Sequence, residues 1–276
     1  MKALVFGAGG QLGAELVRQL GDAAGLTHQQ VSITDAAAVE AAIAEARPDV
    51  VYNCAAYNAV DGAGKAIPEA FAINADGPRN IAASCRRHGA SLVHFSTNFV
   101  FDGSTAEPYI ESDEPNPISA YGASKRAGEE NVLALGTHVL VVRTAAVFGA
   151  TTGRSFPERI LERARAGEKL RVVSDQTVNP TYAKDLAAAA VELAEEGFAG
   201  IVHAVADGCA GWDELARAAL AEAGFAADVE SIRSEAYPTA ARRPVNGCLA
   251  TIRYRALRPW QEALREWAQS IRLENP

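Results

Sequence analysis

The sequence has little of what marks several large classes of protein. Its four cysteines, Cys54, Cys85, Cys209 and Cys248, include no C-x-x-C interval, so spacing indicates neither a zinc site nor a dithiol redox motif. A chain of 276 residues without a disulfide pattern reads as made for a reducing cytosol, and a cytoplasmic location is expected. His28, His88, His94, His138 and His203 form no H-x-x-x-H interval, and no metal site is expected. No run of about 18 apolar residues occurs, so no membrane span is expected. The amino terminus reaches Gly7 too soon for a signal peptide. Basic residues are the scarcer charge, 26 Lys plus Arg against 34 Asp plus Glu. The resulting net charge of −8 is opposite to that of a free-standing nucleic-acid binder, so nucleic acid is not expected as a partner.

What is present is ordinary for a globular protein, with 49% hydrophobic and 22% charged residues. Short apolar runs at 3–6, 50–54, 92–95 and 139–142 read as strands buried on both faces of a parallel sheet. Between them, 11–20, 35–46, 68–88 and 119–135 read as helices, with Asp35 as an N-cap. This alternation predicts an α/β fold, a Rossmann-like doubly wound parallel sheet. After Gly149 the rhythm changes: helices are expected at 155–165, 181–196, 212–223 and 260–271, and strands at 170–173 and 201–205. In the last helix Trp260, Leu264, Trp267 and Ile271 form one apolar stripe, read as core. Residues 231–251, with Pro238, Pro244 and Gly247, are expected to form a long loop.

Two motifs carry chemistry. Gly7, Gly10 and Gly13 make G-x-x-G-x-x-G directly between the first strand and the first helix. The first glycine permits a tight turn, the second lets a pyrophosphate approach the backbone, and the third lets helix pack on sheet. The helix start, Gln11 and Leu12, then offers free amides to phosphate. The second motif is Tyr121-Gly122-Ala123-Ser124-Lys125, which puts a phenol and an ammonium on one helix face. The ammonium is expected to lower the phenol's pKa from about 10 towards neutrality. Tyr121 is thereby a candidate acid towards a carbonyl oxygen, and Thr97, at a strand's carboxyl end, could bond the same oxygen.

Together these residues resemble the extended short-chain dehydrogenase/reductase superfamily, and within it the dTDP-4-dehydrorhamnose reductase family, over nearly the whole chain. The finer likeness lies in Asn53-Cys54-Ala55-Ala56-Tyr57-Asn58-Ala59-Val60-Asp61, Ile73-Asn74-Ala75 and Ser96-Thr97-Asn98-Phe99-Val100-Phe101-Asp102-Gly103. Arg143-Thr144, Asn179-Pro180-Thr181-Tyr182 and Ala241-Arg242-Arg243-Pro244-Val245-Asn246 continue it. The resemblance implies NADP- or NAD-dependent reduction of a nucleotide-linked 4-keto-6-deoxy sugar, with Thr97, Tyr121 and Lys125 as catalytic residues. It implies that Lys125 also holds the nicotinamide ribose, that Ala55, Ala56 and Pro180 lie along the dinucleotide, and that the protein forms a homodimer. Residues 1–150, with 175–206 returning to them, would bind the dinucleotide. Residues 151–174 and 207–276 would form a small α/β substrate-binding domain.

The resemblance makes Asn58, Val60, Asn98, Phe99 and Ala146 sugar-facing, and departures from the family pattern fall on Asn58, Asn98, Phe99 and Ala146. The family's Asp-Tyr after the threonine is Asn98-Phe99, its tryptophan is Ala146, and the threonine after Ala-Ala-Tyr is Asn58. Gly247 and Ala250 stand for a serine and an acid. Asn98 and Phe99 transfer no protons, which speaks against a 4,6-dehydratase, and the chain length mildly disfavours an epimerase. Arg242 and Arg243 read as a clamp for a sugar-nucleotide diphosphate. The stretch 26–32 offers neither an acid for a ribose hydroxyl nor an arginine for a 2′-phosphate, so NADP and NAD both stay open. The rival reading is a non-catalytic dinucleotide-binding regulatory subunit, like relatives that partner methionine adenosyltransferase.

Overall fold

A computed structural model describes residues 1–136, 138–149 and 155–274, the side chains of 272–274 excepted. Its centre is a six-stranded parallel sheet. In chain order the strands and their helices are β1 (Ala3–Phe6), α1 (Gln11–Leu20), β2 (Ala24–Leu26), α2 (Ala36–Ala46), β3 (Val50–Asn53), α3 (Gly77–His88), β4 (Ser91–Thr97), α4 (Ala120–Leu133), β5 (Val139–Thr144), α5 (Ala183–Glu195) and β6 (Gly200–His203). Strand order is β6-β5-β4-β3-β1-β2. Every pair runs parallel, Leu4 facing Val51 and Val93 facing Leu140. The order reverses between β1 and β3, and ligands of open α/β sheets bind in the crevice at such a point.

β1, β3, β4 and β5 are buried almost throughout, which is why they read as continuous apolar runs. One face packs Leu16 with Leu186, Ala190 and Leu193; the other packs Val39, Ile43, Ile81 and Val132. Asp35 caps α2 as expected, its carboxylate accepting from the amides of Ala37 and Ala38. A further core joins Phe148, Tyr182, Leu215, Trp260, Leu264 and Trp267, with Ile271 packed on it, so the tryptophan stripe is core.

Several expectations are corrected. Residues 68–88 are not one helix: Ile67–Phe71 leads into a wide π turn, Ala72–Asp76, before α3. Pro78 has no amide to give the carbonyl four residues back, and the ladder opens there. The helix expected from residue 181 begins at Ala183, after a short strand Thr181–Tyr182 paired with Val147–Phe148. The 231–251 loop is partly ordered: Val229–Ile232 pairs with Leu170–Val173, and Asn246–Gly247 pairs with Thr177–Val178. Thr177–Val178 therefore joins a small three-stranded sheet, away from the central one. Cys209 and Cys248 are joined in a disulfide across a Cα separation of 6.2 Å. Their 39-residue interval lies outside any short-spacing rule.

Candidate active site

The glycine turn leaves β1 at its carboxyl end. Gly7 has φ +79°, and a Cβ there would stand 2.6 Å from the Ala55 nitrogen on the loop after β3. A Cβ on Gly13 would meet the Gly7 carbonyl oxygen at 2.2 Å, so α1 can sit this close only without one. Gly10 donates its amide to the Gly7 carbonyl at 2.9 Å and occupies the N-cap of α1 without a side-chain cap. The α1 start thus presents its amides beside a cradle that side chains would fill, which fits a dinucleotide pyrophosphate. The Gln11 side-chain amide donates to the Gly149 carbonyl at 3.2 Å, and Leu12 packs under the sheet. Asp35, spent as a cap, is not free for a ribose hydroxyl.

The loop carrying Ala55 and Ala56 is fixed from below. Asn53 accepts from the Ala55 amide at 3.2 Å, and its own amide donates to Nδ1 of His94 at 3.1 Å. Asn74, on the π turn, accepts from the Tyr57 amide at 2.8 Å and donates to the Tyr57 carbonyl and the Ser124 hydroxyl. One buried asparagine thereby ties the Ala55 loop to α4. Pro180 is buried, and its neighbour Asn179 donates to the carbonyls of Ala206, Gly208 and Leu249.

Thr97 ends β4, and Tyr121 and Lys125 lie on the first turns of α4, whose N-cap Ser119 accepts from the Gly122 amide. Gly122 brings α4 against the Thr97 loop: a Cβ there would stand 2.2 Å from the Phe99 carbonyl oxygen. The Phe99 ring meets Tyr121 edge-on at 5.5 Å, and Val60, Ala63 and Ala70 complete the apolar wall around the phenol. Burial pushes the Tyr121 phenol up to about 12, against a hydrogen bond from Thr97 that lowers it. This corrects the expectation that Lys125 draws the phenol towards neutrality. The Lys125 ammonium donates to the Phe95 carbonyl at 2.7 Å, and burial pulls it down to about 8, opposed by the charge of Glu129. Glu129, one turn further along α4, is held by Arg143 through two bonds of 2.8 Å.

The residues read as sugar-facing separate into groups. Asn58 is exposed and Val60 half-buried near Tyr121. Ala146 has φ +41°, a left-handed conformation uncommon outside glycine and asparagine. Asn98 is buried with both ends of its amide engaged: it accepts from the Thr97 hydroxyl at 3.2 Å and donates to the Gly247 carbonyl at 2.9 Å. The two arginines also part. Arg243 forms a two-pronged pair with Asp61, at 2.7 and 3.1 Å, which holds that carboxyl below its usual range. Arg242 is exposed and, with Lys65, Ser119 and Ala241, lines a cavity of about 390 Å³ at the start of α4. A clamp of two free guanidiniums is therefore not formed; Arg242 faces the cavity and Arg243 braces its wall.

Asn53, Asn74, Asp61 and Gly122 hold the site together and were not singled out as site residues by sequence. Each lies inside a quoted motif, and the contact that matters lies far along the chain: His94 for Asn53, Tyr57 and Ser124 for Asn74, Arg243 for Asp61, and the Phe99 carbonyl for Gly122. Among the described residues no group of three or more His, Cys, Asp or Glu could hold a metal. Among them, too, no helix is long and apolar enough to cross a membrane.

The family profile for the RmlD substrate binding domain matches residues 1–273. The chain is 41% identical to the dTDP-4-dehydrorhamnose reductase of Mycobacterium tuberculosis, over 95% of this chain and 91% of that one. It is also 41% identical to a probable dTDP-4,6-dihydroxy-2-methyloxan-3-one 4-ketoreductase of Streptomyces antibioticus, over 96% of this chain and 94% of the relative. Among solved structures, a dTDP-4-dehydrorhamnose reductase from Bacillus anthracis in complex with NADP superposes with a TM-score of 0.94 at 31% identity, covering 98% and 99% of the two chains.

Proposed function

The chain belongs to the RmlD substrate binding domain family, and from that premise we propose that it reduces the 4-keto group of a dTDP-linked 6-deoxyhexose with NADPH or NADH. The observation that carries this reading is the Thr97–Tyr121–Lys125 cluster at the carboxyl edge of β4, beside the glycine cradle. Gly7, Gly10, Gln11, Leu12 and Gly13 would hold the pyrophosphate, with Ala55, Ala56 and Pro180 along the rest of the dinucleotide. The reduced nicotinamide, when bound, supplies a hydride.

The chain's own residues provide the proton and the positions. Reduction of a carbonyl needs a donor that is still protonated at neutral pH. The buried Tyr121 phenol, raised to about 12, is in that form. Thr97 shares the space around the phenol oxygen, and its proton, turned from the Asn98 oxygen that accepts it at 3.2 Å, would be donated to the carbonyl oxygen from the other side. Lys125, buried and anchored on Phe95, supplies a cation next to the developing charge and a donor for the ribose. Phe99, Val60 and Ala63 keep water from the phenol. Arg242 and Lys65 face the cavity where the anionic nucleotide end of the substrate would lie. Residues 1–150 with 175–206 form the dinucleotide part on this reading, and 151–174 with 207–276 the substrate part. A cytoplasmic homodimer belongs to the same reading and is checked by light scattering and fractionation.

Intact Thr97, Tyr121 and Lys125 favour turnover over a purely binding role. The test is oxidation of NADPH and NADH in the presence of dTDP-4-keto-6-deoxyhexoses. Tyr121→Phe is expected to lower kcat by about 10² to 10⁴, the range of general acid catalysis, with dinucleotide affinity retained. Equal turnover by the wild-type and Phe proteins would remove Tyr121 as the acid, and no wild-type turnover would favour the regulatory reading.

A further inference from the structure

Asn98 occupies the position after Thr97, yet its amide points away from solvent and is used at both ends. Its oxygen accepts the Thr97 hydroxyl at 3.2 Å, and the same hydroxyl oxygen accepts the Phe99 amide at 3.2 Å. Its nitrogen donates to the Gly247 carbonyl at 2.9 Å. A Cβ on Gly247 would stand 2.5 Å from that nitrogen and 3.0 Å from the Thr177 carbonyl oxygen, so the contact needs glycine at 247. Gly247 is itself seated: its strand pairs with Thr177–Val178, and Asn246 donates to the carbonyls of Thr105 and Glu107.

We infer that Asn98 is a positioning residue that sets the Thr97 hydroxyl and links it to the capping strand Asn246–Gly247. The inference rests on the reductase reading above. The donor/acceptor chemistry is one-directional. The Gly247 carbonyl can only accept, so its partner must donate, which an amide does and a carboxylate does not. A carboxylate at 98 would face that carbonyl oxygen to oxygen and would hold the Thr97 proton in a stronger, charge-assisted bond, away from the substrate. Asn98 and Gly247 thus form one matched pair.

The test is Asn98→Asp, with Asn98→Ala as its non-titrating control, in the full-length protein. Steady-state NADPH oxidation and urea unfolding are the readouts. Asn98→Asp is expected to lower kcat at least about tenfold at pH 8, with the KM for NADPH within about twofold, because the reacting oxygen and not the dinucleotide loses its partner. The kcat ratio of variant to wild type should rise as pH falls towards 6, since a protonated carboxyl can again donate to Gly247. Tyr121 and Lys125, the other titratable groups beside Thr97, are unchanged in both proteins and cancel in the ratio. In urea the stability lost by Asn98→Asp should likewise shrink by at least about fivefold in the unfolding constant from pH 8 to pH 6. Asn98→Ala, which neither donates nor titrates, should lower kcat at both pH values with a flat ratio and an unchanged KM for NADPH. A ratio flat in pH for Asn98→Asp, or wild-type kcat in Asn98→Ala, overturns the pairing. Should Asn98→Asp fail to fold, Asn98→Ala decides: lowered kcat with KM kept supports the positioning role and wild-type kcat overturns it. Absence of wild-type turnover would count against the reductase reading alone, because the pH dependence of unfolding measures the contact without activity.

Discussion

Two regions meet at the carboxyl edge of the sheet, and they are encoded in opposite ways. The turn at residues 7–13 closes on itself: the space denied to a Cβ on Gly13 is filled by the Gly7 carbonyl, six residues away. The cluster around Thr97 closes across the chain, with Asn98 and Gly247 149 positions apart and Asp61 and Arg243 182 positions apart. A site built from neighbours can be read from a sequence, because spacing and geometry are then the same thing. A site built from distant partners shows its residue types but not its bonds. The strongest way to sharpen this contrast is inside the turn itself. Gly13→Ala forces backbone apart at 2.2 Å and is expected to cost about 3 kcal/mol or more and to abolish dinucleotide binding. Gly9→Ala, whose Cβ would find only the Thr27 methyl at 3.5 Å, should stay within about 0.5 kcal/mol. Urea unfolding and dinucleotide titration check both, and equal losses would show that the turn is not set by close approach.

The same distinction explains what the sequence displayed of the fold. β1, α1 and the Asp35 cap were legible because burial on both faces, helical spacing and a capping carboxylate are local signals. β2 was missed: three residues containing Gly25 carry no periodicity, and only pairing with β1 makes them a strand. The strand Val229–Ile232 runs into the expected 231–251 loop and carries no local signal of its own, because its partner, Leu170–Val173, lies far upstream. In the site, Thr97, Tyr121 and Lys125 were visible as types, but the bond that aims Lys125 at the Phe95 carbonyl was not. Nor was the apolar wall that raises the phenol, since it is assembled from Val60, Ala63, Ala70 and Phe99.

Lys125 allows the long-range half of the contrast to be broken without an activity assay. Burial lowers its pKa to about 8 from the ordinary lysine value of 10.5. Between those values the unfolded chain binds more protons than the folded one, so unfolding free energy rises with pH across that window. Below pH 8 the burial cost is fully present; it is relieved as pH climbs towards 10.5. Lys125→Met lacks this dependence. Wild-type stability relative to the Met variant should therefore increase from pH 7 to pH 10, by up to an order of 3 kcal/mol at 1.36 kcal/mol per pKa unit. Urea unfolding at the two pH values checks it. A constant difference would mean that Lys125 is as well solvated as any surface lysine, and that the site is open where the structure closes it.

The smallest effects are expected at the two arginines, where the local and the long-range readings give different answers. Adjacent guanidiniums in a loop suggest equal roles, whereas the structure commits Arg243 to Asp61 and leaves Arg242 at the cavity. Arg242→Ala removes one charged donor from the anionic end of the substrate, and about tenfold in KM corresponds to the 1.5–3 kcal/mol of such a bond with part of it lost to solvent. Its stability should not move, since Arg242 is exposed. Arg243→Ala should do the reverse: a loss of at most about 1 kcal/mol, as the Asp61 side chain is 46% exposed and the pair is screened, with KM nearly unchanged. The pH dependence fixes the cause. The Arg243 hydrogen bond lowers the Asp61 pKa from its ordinary 3.8, so the pair stabilises the fold above that value and the contribution fades as pH falls through the depressed one. The wild-type advantage over Arg243→Ala should thus be present at pH 7 and vanish in acid below Asp61's titration. Equal KM losses in both variants would restore the two-arginine clamp and show that substrate draws Arg243 away from Asp61.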